Sequence, residues 1–320
     1  MKRSHLLLAV VALLFSLLLP LVVRSDYILQ VLFRIYLFAA LGLAWNLVGG
    51  YAGQLSLGHA AYFGAGAYGL ALFTRAGLPV WLALLLLVGL ALVFALLIGG
   101  VSFRLRGPYF ALSTIAFAEV LHATAKNLPR VTGGDVGVQV PALFSSNVHR
   151  SFYFCAVLLT AAAAAATSRI SRSRFGYSLM AIREDQDTAL SVGVNAARVK
   201  LNALLASAAL TALGGALYGS LYLFIVPDQV LSIDLSNEIA IVAMLGGAGT
   251  LAGPIVGSLV LETASELFKN VFQEAHLLIY GILLILVVLF LPEGIVGGVT
   301  SLFRRRATRP GPATVRGWKG

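Results

Sequence analysis

Apolar stretches of about twenty residues recur along the whole chain, separated by short polar or Gly/Pro-containing connections. The candidate crossings are 6–24, 28–48, 57–75, 80–102, 108–127, 152–168, 199–221, 237–264 and 277–297. Each is close to the ~20 residues a helix needs to traverse the hydrocarbon of a bilayer. Connections such as Arg24–Asp26, Gly77–Pro79 and Arg104–Pro108 are brief, and the longest are 128–150 and 169–198. The pattern predicts an all-α fold, a polytopic transmembrane helical bundle of about 8–10 membrane segments. Residues 1–303 form the transmembrane domain in this reading, with a cytoplasmic loop at 169–198, and 304–320 form a basic cytoplasmic tail.

Two segments break the pattern. Gly49–Gly69 (GGYAGQLSLGHAAYFGAGAYG) and Gly246–Gly257 (GGAGTLAGPIVG) are too rich in glycine, the second with a proline, to run as plain straight helices. Paired Gly-interrupted segments in the two halves of a membrane protein point to a midplane pathway built from broken helices. Close helix packing through small residues is the alternative, and both readings stand together. The letters GAGAYG at 64–69 match a dinucleotide fingerprint, but they lie inside an apolar span without a preceding strand, so the match is spurious.

Charge sets the orientation. The 169–200 region carries Arg169, Arg172, Arg174, Arg183, Arg198 and Lys200, so it belongs in the cytoplasm. Counting back puts Arg104 and Arg106 inside, 128–150 outside and the N-terminus inside, with 6–24 as an uncleaved first span. Counting forward, a single crossing at 237–264 would leave Arg304, Arg305, Arg306 and Arg309 outside. A re-entrant or paired-half-helix segment there resolves the conflict and returns the tail to the cytosol.

Composition agrees with this class. Hydrophobic residues make up 59% and charged residues 11%, about half the charge of a soluble domain. The formal charge of +10 does not signify nucleic-acid binding, because the Lys and Arg lie between spans and in the tail. One cysteine, Cys155, permits no internal disulfide and no multi-Cys metal site. The five histidines are dispersed, HExxH and GxxxxGK[ST] are missing, and no enzyme or metal motif emerges. No cofactor is expected.

Polar residues at membrane depth are the candidate pathway. Gln54, Ser56 and His59 lie in the first Gly-rich segment, Glu119 lies within 108–127, and Gly246, Gly247 and Gly249 open the second. Lining the route and interhelical hydrogen bonding are equally open for Gln54 and His59. For Glu119 the choice is between gating and a structural bond. Glu238 reads first as part of a helix N-terminus beginning at Ser236–Asn237.

The stretch 174–195 (RFGYSLMAIREDQDTALSVGVN) reads as a charged amphipathic helix from Phe175, stopped at Gly193 and joined directly to the span after it. Such a helix transmits force between a cytosolic partner and the membrane. A lipid-resting connector is its bland counterpart.

The chain resembles the LivM-type permeases of bacterial branched-chain amino acid ABC importers. The resemblance rests on residues 46–68, 104–120, TGGDVG at 132–137, 175–218, 244–262 and 278–297, in order, and covers most of 28–297. Asp187, Ala189 and Gly193 reproduce the acid-x-Ala-x-x-x-Gly spacing of the family's coupling loop. By that resemblance, Ala181, Ile182, Arg183, Glu184, Asp185, Asp187, Ala189 and Gly193 couple the chain to cytosolic ATPase subunits, which bind the ATP. It also implies a second, LivH-like permease, a periplasmic binding protein, and residence in the bacterial inner membrane. The protein is then a transport subunit and not an enzyme. Urea and short-amide permeases share the skeleton, and Ala248, Thr250 and the TGGDVG turn depart from the usual pattern. A secondary transporter using Glu119 or His59 is the contrasting hypothesis.

Overall fold

The computed structural model describes residues 11, 14–20, 23, 25–103, 105, 107–144, 146–271, 281 and 294–298. Most of the expected first and last spans, Arg104, Arg106 and the basic tail 304–320 lie outside the described residues. The rest is helical, with one two-residue ladder.

Helix α1 (Asp26–Asn46) continues as a π-turn, Leu47–Tyr51, and an irregular stretch then leads to α2 (His59–Arg75). Helix α3 (Val80–Ser102) and α4 (Pro108–Asn127) follow, the latter with proline at its first position, where a missing N–H costs nothing. An outer loop leads to α5 (Val148–Ser171). Two short helices, α6 (Arg174–Glu184) and α7 (Gln186–Ser191), precede the long α8 (Ala196–Tyr222). Helix α9 (Ile233–Gly246) and α10 (Gly253–Val271) close the described chain.

Exposure sorts these helices. The most apolar window of α1 is 67% buried and that of α3 only 33%, so α3 faces lipid while α1 is the interior spine. Five helices among the described residues are long and apolar enough to cross a membrane. Helix α8 packs on α1, α2, α3 and α5. Its contact with α2 depends on glycine: a Cβ on Gly66 would strike the Ala212 carbonyl, and one on Gly215 the Phe63 carbonyl. The pseudo-fingerprint is therefore a helix-packing surface. On the other side of the spine, the Thr160 hydroxyl donates to the Tyr36 carbonyl at 2.6 Å, and Tyr153 donates to Ser16 O at 2.7 Å.

The ladder pairs β1 (Val138–Gln139) with β2 (Phe224–Ile225), antiparallel, with Val138 opposite Ile225. It ties the loop before α5 to the turn after α8. Both lie on one face, the outer one by the charge argument.

Helices α9 and α10 form a hairpin with its turn at 247–252. Contacts with α1 fix its direction. Going up α10, Pro254 lies against Gly42, Ser258 donates to the Ile35 carbonyl at 2.7 Å, Glu262 pairs with Arg34 at 3.0 Å, and Tyr27 donates to Glu266 at 2.5 Å. Helix α10 thus runs antiparallel to the spine. The chain enters from the outer face through α9, turns near the inner end of α1, and returns. Gly294 abuts Gly247, so the chain has regained the inner face by residue 294. The segment expected to turn back at 237–264 does so, but as two helices close to membrane length and not as half-helices.

Two local expectations change. Helix α9 starts earlier than the sequence reading placed it, because Ser232 supplies the cap and accepts from Leu235 N at 3.3 Å. Glu238 is then an interior helical residue and not a terminus. The single helix expected from Phe175 to Gly193 is split at Asp185, whose extended backbone ends α6 and whose carboxylate accepts from Thr188 N at 2.7 Å to cap α7.

Candidate functional site

The two interrupted segments meet. Asn46, fully buried at the end of α1, accepts from Gly249 N through Oδ1 at 2.7 Å and donates from Nδ2 to Thr250 O at 2.8 Å. One amide side chain therefore satisfies two of the backbone groups that the break in α9–α10 leaves without helical partners. Gly50 of the π-turn approaches Gly249 so closely that a Cβ would strike the Gly249 nitrogen. Gly249 itself has φ of 81°, which a side chain adopts only at a cost.

Arg183 of α6 completes the junction. Its Nη1 donates to the Gly50 carbonyl at 2.7 Å, and the same nitrogen lies where a Cβ on Gly249 would fall. A charged donor on a backbone carbonyl is stronger than a neutral pair. The cytoplasmic segment, the π-turn and the hairpin turn are thereby pinned at one point.

The remaining predicted coupling residues divide by environment. Ile182 and Ala189 are buried in a small cluster with Ala196, so α6 and α7 dock on the start of α8. Lys200, buried in α8, donates to Gln186 Oε1 of α7 at 2.5 Å. Gly193 has φ of 88° and ends the segment, after which Asn195 Oδ1 caps α8 at Arg198 N, 3.1 Å away. Ala181, Arg183, Glu184, Asp185 and Asp187 are exposed. Ile182 and Ala189 serve to hold that surface rigid.

Among the pathway residues, Ser56 and His59 are buried and linked. His59 Nδ1 lies 3.2 Å from Ser56 Oγ, and Nε2 lies 2.8 Å from Ser207 Oγ on α8. Trp45 donates to the Ser56 carbonyl at 2.7 Å, Thr114 accepts from Leu57 N at 3.0 Å, and Ser236 accepts from Ala60 N at 2.9 Å. These bonds cross between helices and fix the irregular 52–58 stretch. Gln54 is half-buried and reaches the Ala52 carbonyl at 3.4 Å. Glu119 stands apart: it is exposed and 3.4 Å from His122, within an outer cluster that includes Asp228, Lys126 and Asp135. Gly246 packs against Gly253 and Gly247 begins the hairpin turn, so both join the junction.

Sequence reasoning overlooked Asn46, whose partners lie more than two hundred residues away. It also overlooked Arg34 and Glu262, which pair across α1 and α10. Their signal was a charge inside an apolar span, the same signal used for Glu119.

A helical membrane bundle with discontinuous helices converging at one end has the build of a membrane permease. The matching family model is "Branched-chain amino acid transport system / permease component", over residues 27–288, and the chain belongs to that family. It is 29% identical to the high-affinity branched-chain amino acid transport system permease protein LivM of Salmonella typhimurium over 288 residues, 81% of this chain and 67% of the relative. Identity to the probable LivM of Methanocaldococcus jannaschii is 24% over 67% of this chain and 68% of that protein. The LivH permease of Escherichia coli is 32% identical over 54% of this chain and 59% of its own length. No solved structure matches the chain.

Proposed function

We propose that the chain is one permease subunit of an ATP-driven importer of branched-chain amino acids, paired with a LivH-like permease and fed by a periplasmic binding protein. Cytosolic ATPase subunits grip the exposed side of α6–α7, at Ala181, Glu184, Asp185 and Asp187, and bind the ATP themselves. Their closure displaces the helix pair, and the displacement opens the route toward the outer face.

The observation that carries this reading is the Arg183–Gly50–Asn46–Gly249 junction. It ties the coupling segment directly to the two broken helices. Such contiguity gives coupling a physical carrier. The substrate assignment rests on the names of the relatives; urea or short amides are the alternative.

The test is uptake and ATP hydrolysis in membranes holding the whole system. Asp187→Lys is expected to reduce leucine uptake at least tenfold while the ATPases hydrolyse ATP without coupling to it. Uptake unchanged in that variant refutes the coupling role. Leucine accumulation by this chain alone, without any ATPase, establishes an ion-coupled carrier instead.

A further inference from the structure

The connection between α8 and α9 meets a different part of the molecule on each side. Its centre is a single helical turn, Pro227–Val230, followed by the Ser232 cap of α9. On one side Gln229 and Ser232 join Arg34, Leu235 and Glu238 in lining a cleft of about 260 Å³ at the outer ends of α1, α8 and α9. On the other side Asp228 reaches α4. Its Oδ1 lies 2.8 Å from His122 Nε2 and 3.0 Å from Lys126 Nζ, and its Oδ2 accepts from the same ammonium at 3.2 Å. Glu119 backs His122 at 3.4 Å, and Asp135 of the outer loop backs Lys126 at 3.3 Å.

An isolated exposed ion pair contributes little, whereas several charges converging on one carboxylate form a network. The inner half of α4 is held by packing and by Thr114, but of its outer half only Ala118 and Ala125 are buried. The cluster is what ties that half to the α8–α9 connection. A second seat for Asp228 lies on α2. The connection packs there through Leu231, which a Cβ on Gly64 would strike, and Tyr68 stands one turn further along the same face. The Tyr68 hydroxyl is buried and has no hydrogen-bond partner among the described residues, although buried polar groups are seldom left so. Asp228 lies within electrostatic reach of it. A carboxylate only accepts and a phenol donates, so the two are complementary. Here the carboxylate is engaged on α4 and the hydroxyl goes without.

We propose that Asp228 is a two-position latch on the outer cleft. Held by His122 and Lys126, it keeps the wall formed by 227–232 over the cleft. Freed from them, it takes the Tyr68 hydroxyl, the turn rocks from α4 onto α2, and Gln229 and Ser232 move with it to uncover the cleft. Neither position strands a charge: in the second, Lys126 keeps Asp135 and His122 keeps Glu119. Two satisfied arrangements of one carboxylate are what a two-state element requires. Asp228 is a positioning residue and need not touch solute. The latch rests on the importer reading above for what the cleft admits, while its motion is measured without transport.

The test is labelling of Leu235→Cys, on the cleft wall at a position 8% exposed, by a membrane-impermeant maleimide. The full-length Cys155→Ser chain in lipid nanodiscs is the parent. Lys126→Glu turns attraction into repulsion and is expected to speed labelling about fivefold or more. The swap Lys126→Glu/Asp228→Lys restores the pair and the slow rate. Adding Tyr68→Phe to Lys126→Glu removes the second seat and returns labelling toward the parent rate, which mere loosening of α4 would not do. Ala76→Cys, exposed at the outer end of α2, is the control and labels at one rate throughout. Lys126→Glu that labels like the parent, a swap that stays fast, Tyr68→Phe without effect on the fast rate, or an equal rise at Ala76→Cys overturns the latch. In the whole system Lys126→Glu is expected to lower leucine uptake about fivefold, with recovery in the swap. Uptake equal to wild type refutes the gating role. No leucine uptake by the wild type refutes the importer reading instead, and the labelling rates still decide the latch.

Discussion

Asn46 carries more of the architecture than its single uncharged side chain implies. Truncation to alanine leaves the Gly249 N–H and the Thr250 carbonyl without the amide that satisfies them. Asn46→Ala is expected to lower stability by about 2–4 kcal/mol, since each stranded buried group costs about 1–3 kcal/mol. Asn46→Asp keeps the acceptor for Gly249 but sets a buried carboxylate oxygen against the Thr250 carbonyl, so it is expected to be at least as destabilising as alanine. Unfolding in detergent titrated with denaturant measures both, and equal stability of all three removes Asn46 from the account. Arg183 tests function where Asn46 tests stability. Arg183→Ala breaks the bond to Gly50 and is expected to cut uptake more than it cuts ATP hydrolysis, with Arg183→Lys recovering part of the loss. Equal loss of both rates argues against a transmitting role.

At the scale of elements, how legible each helix was follows from how local its cause is. The ends of α2, α3 and α4 agree with the apolar runs because burial in lipid acts on each run separately. The break at Asp185 was hidden because the amphipathic period continues across it; only the Asp185 side chain capping Thr188 N shows that two helices are present. Arg183 was legible as a coupling residue beside Glu184 and Asp187, but its bond to the Gly50 carbonyl, 133 positions away, was not. The glycines were legible as interruptions, but which glycine meets which partner was not. The α2–α8 contact makes a matching prediction: Gly66→Leu drives a side chain into the Ala212 carbonyl and separates the two helices. It is expected to abolish the yield of monodisperse protein, and Gly89→Leu, at a position on α3 where a Cβ meets nothing, is the control that should fold.

For the whole molecule, the hairpin reconciles the charge pattern with the number of segments. A hairpin at 233–271 adds no net crossing, and Gly294 against Gly247 brings residue 294 to the same face as α6 and α7. In a Cys155→Ser background, a membrane-impermeant thiol reagent is expected to label Val136→Cys only from outside. Thr188→Cys and Lys319→Cys should label only in inverted vesicles. Labelling of Lys319→Cys from outside would mean that the hairpin traverses once and the orientation of everything after it is reversed.

The spine connects the two polar centres with a length of nearly unbroken helix. Arg34 and Asn46 are twelve positions apart, about 18 Å at 1.5 Å per residue. A stiff pushrod delivers at its far end the stroke applied at the near one and cannot enlarge it. Any gape at the outer end wider than the throw of α6–α7 must come from swinging α9 about the Asn46 pivot, and the π-turn at Leu47–Tyr51 is where the spine itself can give.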